Sequence, residues 1–167
     1  QMCIRDRSAS TDKTSTRASL SFRDQSGTTP NTDQKRYAMA VNTKMTFNKY
    51  IDFDLSANYI RTKSANLPGT GYNSTNALQS IMQWFGRQVD LKDLKNNWDQ
   101  VDEYGKYTHY NWIQSFHANP YWTLNKNTNS YDRNRFYGKT SLYIKPTDWL
   151  KFEGRMGLDH YDSNQFS

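Results

Sequence analysis

The chain has 167 residues, enough for one domain of ordinary size. Only 35% of them are hydrophobic and the mean hydropathy is −1.03, so no run approaches the roughly 20 apolar residues of a membrane helix. The net charge of +6 comes from Lys and Arg scattered along the chain rather than clustered, which argues against nucleic acid as a partner, and the single Cys3 leaves no internal disulfide framework.

Low hydropathy does not exclude a membrane barrel, because lipid-facing residues alternate with polar ones and average out. The aromatic content is high, 15% with twelve Tyr and five Trp. That suits interfacial girdles or sugar-stacking surfaces better than a generic soluble core.

Residues 1–7, QMCIRDR, do not join the pattern that follows, and we set them apart as a non-native extension. Residues 8–15 are small and polar without a period. From 16 to 24 the chain alternates, with Ala18, Leu20 and Phe22 on one parity. A loop, SGTTPNTD, follows. Tyr37, Met39, Val41, Met45 and Phe47 then oppose Arg36, Asn42, Lys44 and Thr46. After a short turn at Asn48-Lys49-Tyr50, Ile51, Phe53, Leu55, Ala57 and Tyr59 alternate with Asp52, Asp54, Ser56 and Asn58. Residues 63–133 form one long insertion. Within it, Ser74 can cap a helix near 75–86, where Leu78, Ile81, Met82 and Phe85 recur at helical spacing, and Asp90 can cap a second near 91–97. From 100 to 129 no period holds, although Tyr, Trp, His and Asn are dense. Two further alternating segments flank Lys145-Pro146-Thr147-Asp148, where Pro146 cannot donate to a ladder and marks a tight turn.

These patterns predict an all-β chain, an antiparallel up-and-down meander of five long strands near 16–24, 35–48, 50–62, 134–146 and 148–161. Short turns alternate with long loops, as they do in outer-membrane barrels, with the short ones periplasmic and the long ones extracellular. Five strands are too few to close a barrel, so an open sheet with raw edges is expected. One parity would face lipid and the charged parity the lumen. The pattern alone leaves a soluble antiparallel β-domain open.

Asp52 and Asp54 share a strand face at roughly 7 Å, a spacing that could suit a glycosidase pair, but their polar setting favours solvated carboxylates. His109, His117 and His160 lack the spacing of a metal site and read as polar histidines. No phosphate-binding or nucleophile motif occurs, and Gly69-Thr70-Gly71 lacks the third glycine of a dinucleotide fingerprint. No catalytic, cofactor or metal residue is assigned. Trp84, Trp98, Trp112 and Trp122 all fall in the insertion. They either pack the loop or stack on a ligand ring or side chain. Trp84 and Phe85 end an amphipathic helix and are assigned to packing; Trp112, Tyr121 and Trp122 are the candidates for ligand or lipoprotein contact. Trp149, at a short turn, reads as an interface anchor.

The ordered series RYAMAVNTKMTFNKYIDFDLSANYIRTKSANLPGTGYN, QWFGRQVDL, NPYWTLNKNTN, DRNRFYG and TDWLKFEGRMGLD resembles the barrel of the SusC/RagA family of TonB-linked outer-membrane receptors over residues 15–162. The resemblance implies an internal piece of a large closed barrel, residues 8–167, with 63–133 as a long extracellular loop over the barrel mouth. It implies energy-coupled import of oligosaccharides or peptides and no bond chemistry. It also implies a SusD-like lipoprotein partner, a TonB complex contacted through a part absent here, and outer-membrane lipid around the wall. A passive porin or structural barrel, or a soluble carbohydrate-binding β-domain, are the rival expectations.

Overall fold

The computed structural model describes residues 1–67, 69–72, 76–108, 110–113 and 116–166, with Tyr107 described by its backbone alone. The chain divides into two compact units. The first comprises residues 1–25, 35–63 and 132–164, and is a sheet. The second comprises residues 26–34, 64–131 and 165–167, and holds the short helices.

The main sheet has six strands: β1 (Met2–Ser10), β2 (Thr14–Ser26), β3 (Asp33–Asn48), β4 (Ile51–Ser64), β7 (Ser130–Thr147) and β8 (Leu150–Phe166). Their order is β1-β2-β3-β4-β7-β8, an all-β antiparallel meander with β1 and β8 at its edges. The five expected strands are present, and a sixth precedes them. The expected boundaries fall short at both ends of the last pair. β7 starts at Ser130 and runs through Pro146 to Thr147, so the tight turn is Asp148-Trp149 and not 146–148. Pro146 stands one residue from the end of β7, and the preceding Lys145 N–H bonds the Tyr50 carbonyl at 2.7 Å. β8 continues to Phe166, through residues expected to lie in a loop.

The register aligns the apolar residues. Met39 faces Tyr59, Val41 faces Ala57 and Met45 faces Phe53 across β3 and β4. Phe22 and Tyr37 rings lie 5.0 Å apart, which carries the face onto β2. Tyr59 Oη donates to Asn134 Oδ1 at 2.9 Å, placing the even residues of β7, including Phe136, Leu142 and Ile144, on it as well. Arg135 pairs with Asp159, so the odd residues of β7 and β8 share the opposite face and Leu150, Phe152, Met156 and Leu158 fall on the apolar one. The predicted common face is therefore formed, and its large side chains are exposed: Met39 is 52% accessible and Met156 71%.

β1 does not follow this rule. Its pairing puts Arg5 opposite Leu20 and Arg7 opposite Ala18, so its arginines take the apolar face and Met2 and Ile4 the polar one. A one-residue phase difference sends every side chain to the wrong side.

The tight turns share one end of the sheet. Thr46 N–H bonds the carbonyl of Lys13 in the β1–β2 turn, and Lys145 reaches Tyr50 in the β3–β4 turn. Tyr50 N–H is in turn held by Asn48 Oδ1 at 2.8 Å. A bulge between Thr46 and Asn48 sets Phe47 out of the ladder. In β7, Gly138 comes so close to β4 that a Cβ would lie 2.7 Å from the Ser56 carbonyl oxygen.

Candidate functional site

The second unit holds the residues singled out for contact. Its helices are α1 (Ala77–Trp84), α2 (Leu91–Asn96) and α3 (Pro120–Lys126), with a small hairpin of β5 (Gln100–Val101) and β6 (Tyr107–Thr108). The first two helices match expectation; α3 does not. Its segment is too short to show a period, but Pro120 at the first helical position and an Asn cap announce it. α1 is capped by Asn76, whose side chain accepts from Gln79 N–H at 3.2 Å. The expected cap Ser74 lies outside the described residues. Asp90 caps α2 as predicted, accepting from Lys92 N–H at 2.8 Å.

Asparagine side chains hold this unit together. Asn119 is fully buried. Its Nδ2 donates to the carbonyls of Leu94, at 2.8 Å, and Tyr110, at 2.7 Å, while Oδ1 accepts from Tyr121 N–H at 2.9 Å. One side chain thus caps α3 and satisfies two carbonyls that burial would otherwise strand. Asn66 does the same elsewhere. Its Nδ2 donates to the Asn31 carbonyl, at 2.9 Å, and the Leu124 carbonyl, at 2.8 Å, and its Oδ1 accepts from Asn129 N–H at 3.0 Å. Asn31, with φ of 54°, donates its own amide to Leu124 at 2.9 Å. Asparagine tolerates that left-handed backbone better than most residues. The connection 26–34 is thereby tied to the long insertion.

Aromatic residues gather beside α1. Phe85 meets Trp112 edge-on at 4.2 Å. His117 stacks on Trp112 at 5.9 Å and lies 5.3 Å from the tilted ring of Trp84, and its Nδ1 is 3.4 Å from Ser80 Oγ. Phe85 takes the packing role expected of it and Trp112 joins it, both half-buried, while Trp84 touches His117 but stays 46% accessible. Tyr121 and Trp122 are also half-buried, on α3. Trp98 lies under the ammonium of Lys126, which pairs with Asp99 at 3.5 Å. The three candidates are therefore partly committed to the unit's interior. The fully presented side chains are others: Tyr72, Tyr104, Phe116 and Met82, each more than three-quarters accessible. Sequence reasoning passed over Tyr72, Tyr104 and Phe116 because an exposed aromatic leaves no periodic trace, whereas Met82 was expected on the apolar stripe of α1, which instead buries Ala77 and Ser80. Trp149, at the tip of the β7–β8 turn, is 83% accessible.

The remaining chemical candidates resolve simply. Asp52 accepts from Lys145 Nζ at 2.6 Å, and Asp54 faces Lys44 across the ladder, so each carboxylate has a basic neighbour rather than an acidic partner in an apolar pocket. His109 lies outside the described residues. Among the described residues no group of three or more metal-binding side chains occurs, and no helix is long and apolar enough to cross a membrane.

No protein-family model and no curated protein matches this chain. Among solved structures it is similar to a chain of the RagAB peptide importer in its "closed-closed" state, with a TM-score of 0.66 over 98% of this chain at 16% sequence identity. This chain spans 18% of the length of that one, and at such identity the likeness is one of fold.

Proposed function

We propose that this chain forms part of the wall, and one long extracellular loop, of an outer-membrane TonB-dependent transporter of the SusC/RagA kind. That transporter imports short peptides or oligosaccharides together with a SusD-like surface lipoprotein. The observation that carries the reading is the apolar face of the sheet. Leu20, Met39, Val41, Leu55, Leu142 and Met156 stand exposed, in phase across five strands. Every buried apolar residue among those described, Ala77, Leu94 and Leu124, lies in the other unit. In water such a face would be a large aggregation-prone patch; against lipid it is the favourable arrangement. Strands of 13 to 18 residues exceed the roughly 9–11 that a tilted crossing needs, leaving ends to project beyond the bilayer. The tight turns would be periplasmic and Trp149 would sit at that interface. The fold likeness to a peptide importer supports peptides among the cargo.

On this reading the chain binds and gates without bond chemistry, and energy arrives through a plug and TonB-contacting segment elsewhere in the protein. Trp112, Tyr121 and Trp122 remain candidates for ligand or lipoprotein contact, joined by Tyr72, Tyr104 and Phe116. The test is cargo uptake by the intact protein in cells, with and without the proton-motive force. Uptake that stops when the force is collapsed supports the reading. A steady conductance without energy input would mean a passive porin. A protein that stays in solution without detergent and binds glycan alone would be a soluble β-domain.

A further inference from the structure

The polar face of the sheet carries more positive charge than it neutralises. Its acidic residues on β2, β3, β4, β7 and β8 are Asp52, Asp54, Glu153 and Asp159. Asp52 pairs with Lys145, Glu153 with Arg155 and Asp159 with Arg135, and Asp54 faces Lys44 in the ladder. Arg133 and Lys151 lie over the rings of Tyr161 and Tyr143. Arg23, Arg36 and Lys139 are exposed on this face and, among the described residues, form no ion pair. Lys139 also borders a groove of about 440 Å³, with Ser56, Asn58, Tyr137 and Asp159 around it. Gly157 contributes no side chain there, so the groove stays open between β7 and β8. A hydroxyl, an amide, a phenol ring and one uncommitted ammonium meet in it.

We infer that this groove and the basic face around it receive a short oligomer bearing carboxylates, with Lys139 as the specificity-determining cation. The inference rests on the transporter reading, in which this face lines the lumen, and it narrows the cargo to an anionic class. Asp159 does not repel such cargo, because its carboxylate is held by the Arg135 guanidinium. Ser56 and Asn58 can hydrogen-bond to the backbone or hydroxyls of the oligomer, and Tyr137, with the Arg135 guanidinium 5.1 Å over its ring, offers its remaining ring surface. A basic lumen wall also raises the local concentration of anions and quickens their entry.

The test uses the intact receptor purified in detergent and four probes: an alternating Gly–Glu hexapeptide, its Gly–Gln counterpart, a galacturonate hexamer and a galactose hexamer. At least one acidic probe should bind more tightly than its neutral partner, and added salt should erase the difference. Which acidic probe does so identifies peptide or sugar as the source. Lys139→Gln should weaken acidic binding about threefold and Lys139→Glu about tenfold, with neutral probes unchanged and Lys139→Arg restoring affinity. Should Lys139→Glu fail to give the heat-resistant folded band on a gel, Lys139→Gln carries the comparison. Acidic probes binding no better than neutral ones overturns the inference, as does acidic binding that survives loss of Lys139 in a folded receptor. A receptor that binds none of the four and needs no detergent would instead defeat the transporter reading.

Discussion

The sheet and the loop unit solve the same problem in opposite ways. Among the described residues, neither shows an ordinary hydrophobic core. The sheet turns its apolar residues outward and buries small polar ones, Thr43 and Ser141 among them. The loop unit buries three apolar residues among those described and is tied further by asparagine amides. The sheet's stability must come from its ladder and from whatever solvates its outer face. The loop's stability comes from satisfied carbonyls, where each bond contributes modestly but each omission is costly. The same low hydropathy therefore describes two different kinds of structure.

The comparison breaks most readily at the sheet. Val41→Arg or Leu55→Arg places a charge on the outer face and should cost about 2–4 kcal/mol if the position lies near mid-bilayer, whereas Lys44→Ala on the other face should cost under about 0.5 kcal/mol. Denaturant titration of the intact protein folded into vesicles measures both. Equal tolerance on the two faces would remove lipid from the picture.

In the loop unit the corresponding change is Asn119→Ala. It removes a helix cap and strands the Leu94 and Tyr110 carbonyls, and should destabilise this unit by about 2–3 kcal/mol. Limited proteolysis should show faster cleavage between 64 and 131 while the folded-barrel band persists. Concerted loss of both would mean that the two units do not differ in what holds them.

Gly138→Ala tests the ladder itself. Its new methyl would meet the Ser56 carbonyl, and relief requires β4 and β7 to shift. A cost of about 1–3 kcal/mol, the range for overpacking, is expected in the same vesicle titration. No change would show that the strands are more loosely joined than their spacing indicates.

How much of this was legible in the sequence differs by unit for a physical reason. A strand announces itself locally, since alternation at Met39, Val41 and Met45 needs no knowledge of the partner strand, and the shared face followed once the turns were placed. The ends of β7 and β8 were missed because the runs Asp132-Arg133-Asn134 and Asp162-Ser163-Asn164-Gln165 hold no apolar residue with which to alternate. β1 was missed because residues 1–7 were set apart as a non-native extension and 8–15 show no period; its phase also runs against its neighbours, with Arg5 and Arg7 on the apolar face, a register set only by pairing with β2. The loop unit is held by contacts between residues far apart in sequence, such as Asn66 with Leu124 and Asn119 with Leu94. Asparagine density was visible, but its targets were not. The aromatic cluster of Trp84, Phe85, Trp112 and His117 was half visible, since a helix end predicted the first two and only the fold brings the others to them.

The smallest stability effects are expected where the two units look most alike. Exposed apolar side chains occur in both: Met156 on the sheet, and Tyr104 and Phe116 in the loop unit. On the transporter reading, exposure on β2, β3, β4, β7 and β8 has one explanation, which is lipid. The loop residues share no face and no phase, so lipid does not account for them. Because Tyr104 and Phe116 are 87% and 78% accessible, Tyr104→Ser and Phe116→Ser should change stability by under about 0.5 kcal/mol. A functional deficit in these variants would then report contact rather than folding. On the proposed reading, co-purification of a SusD-like lipoprotein with the intact receptor should fall for at least one of them, with surface expression normal. Trp112→Ala should behave differently, lowering expression as well, because its ring packs on Phe85 and His117. If Tyr104→Ser and Phe116→Ser retain both the lipoprotein and cargo uptake, these side chains carry no contact. The half-buried Tyr121 and Trp122 on α3 would then be the next to substitute.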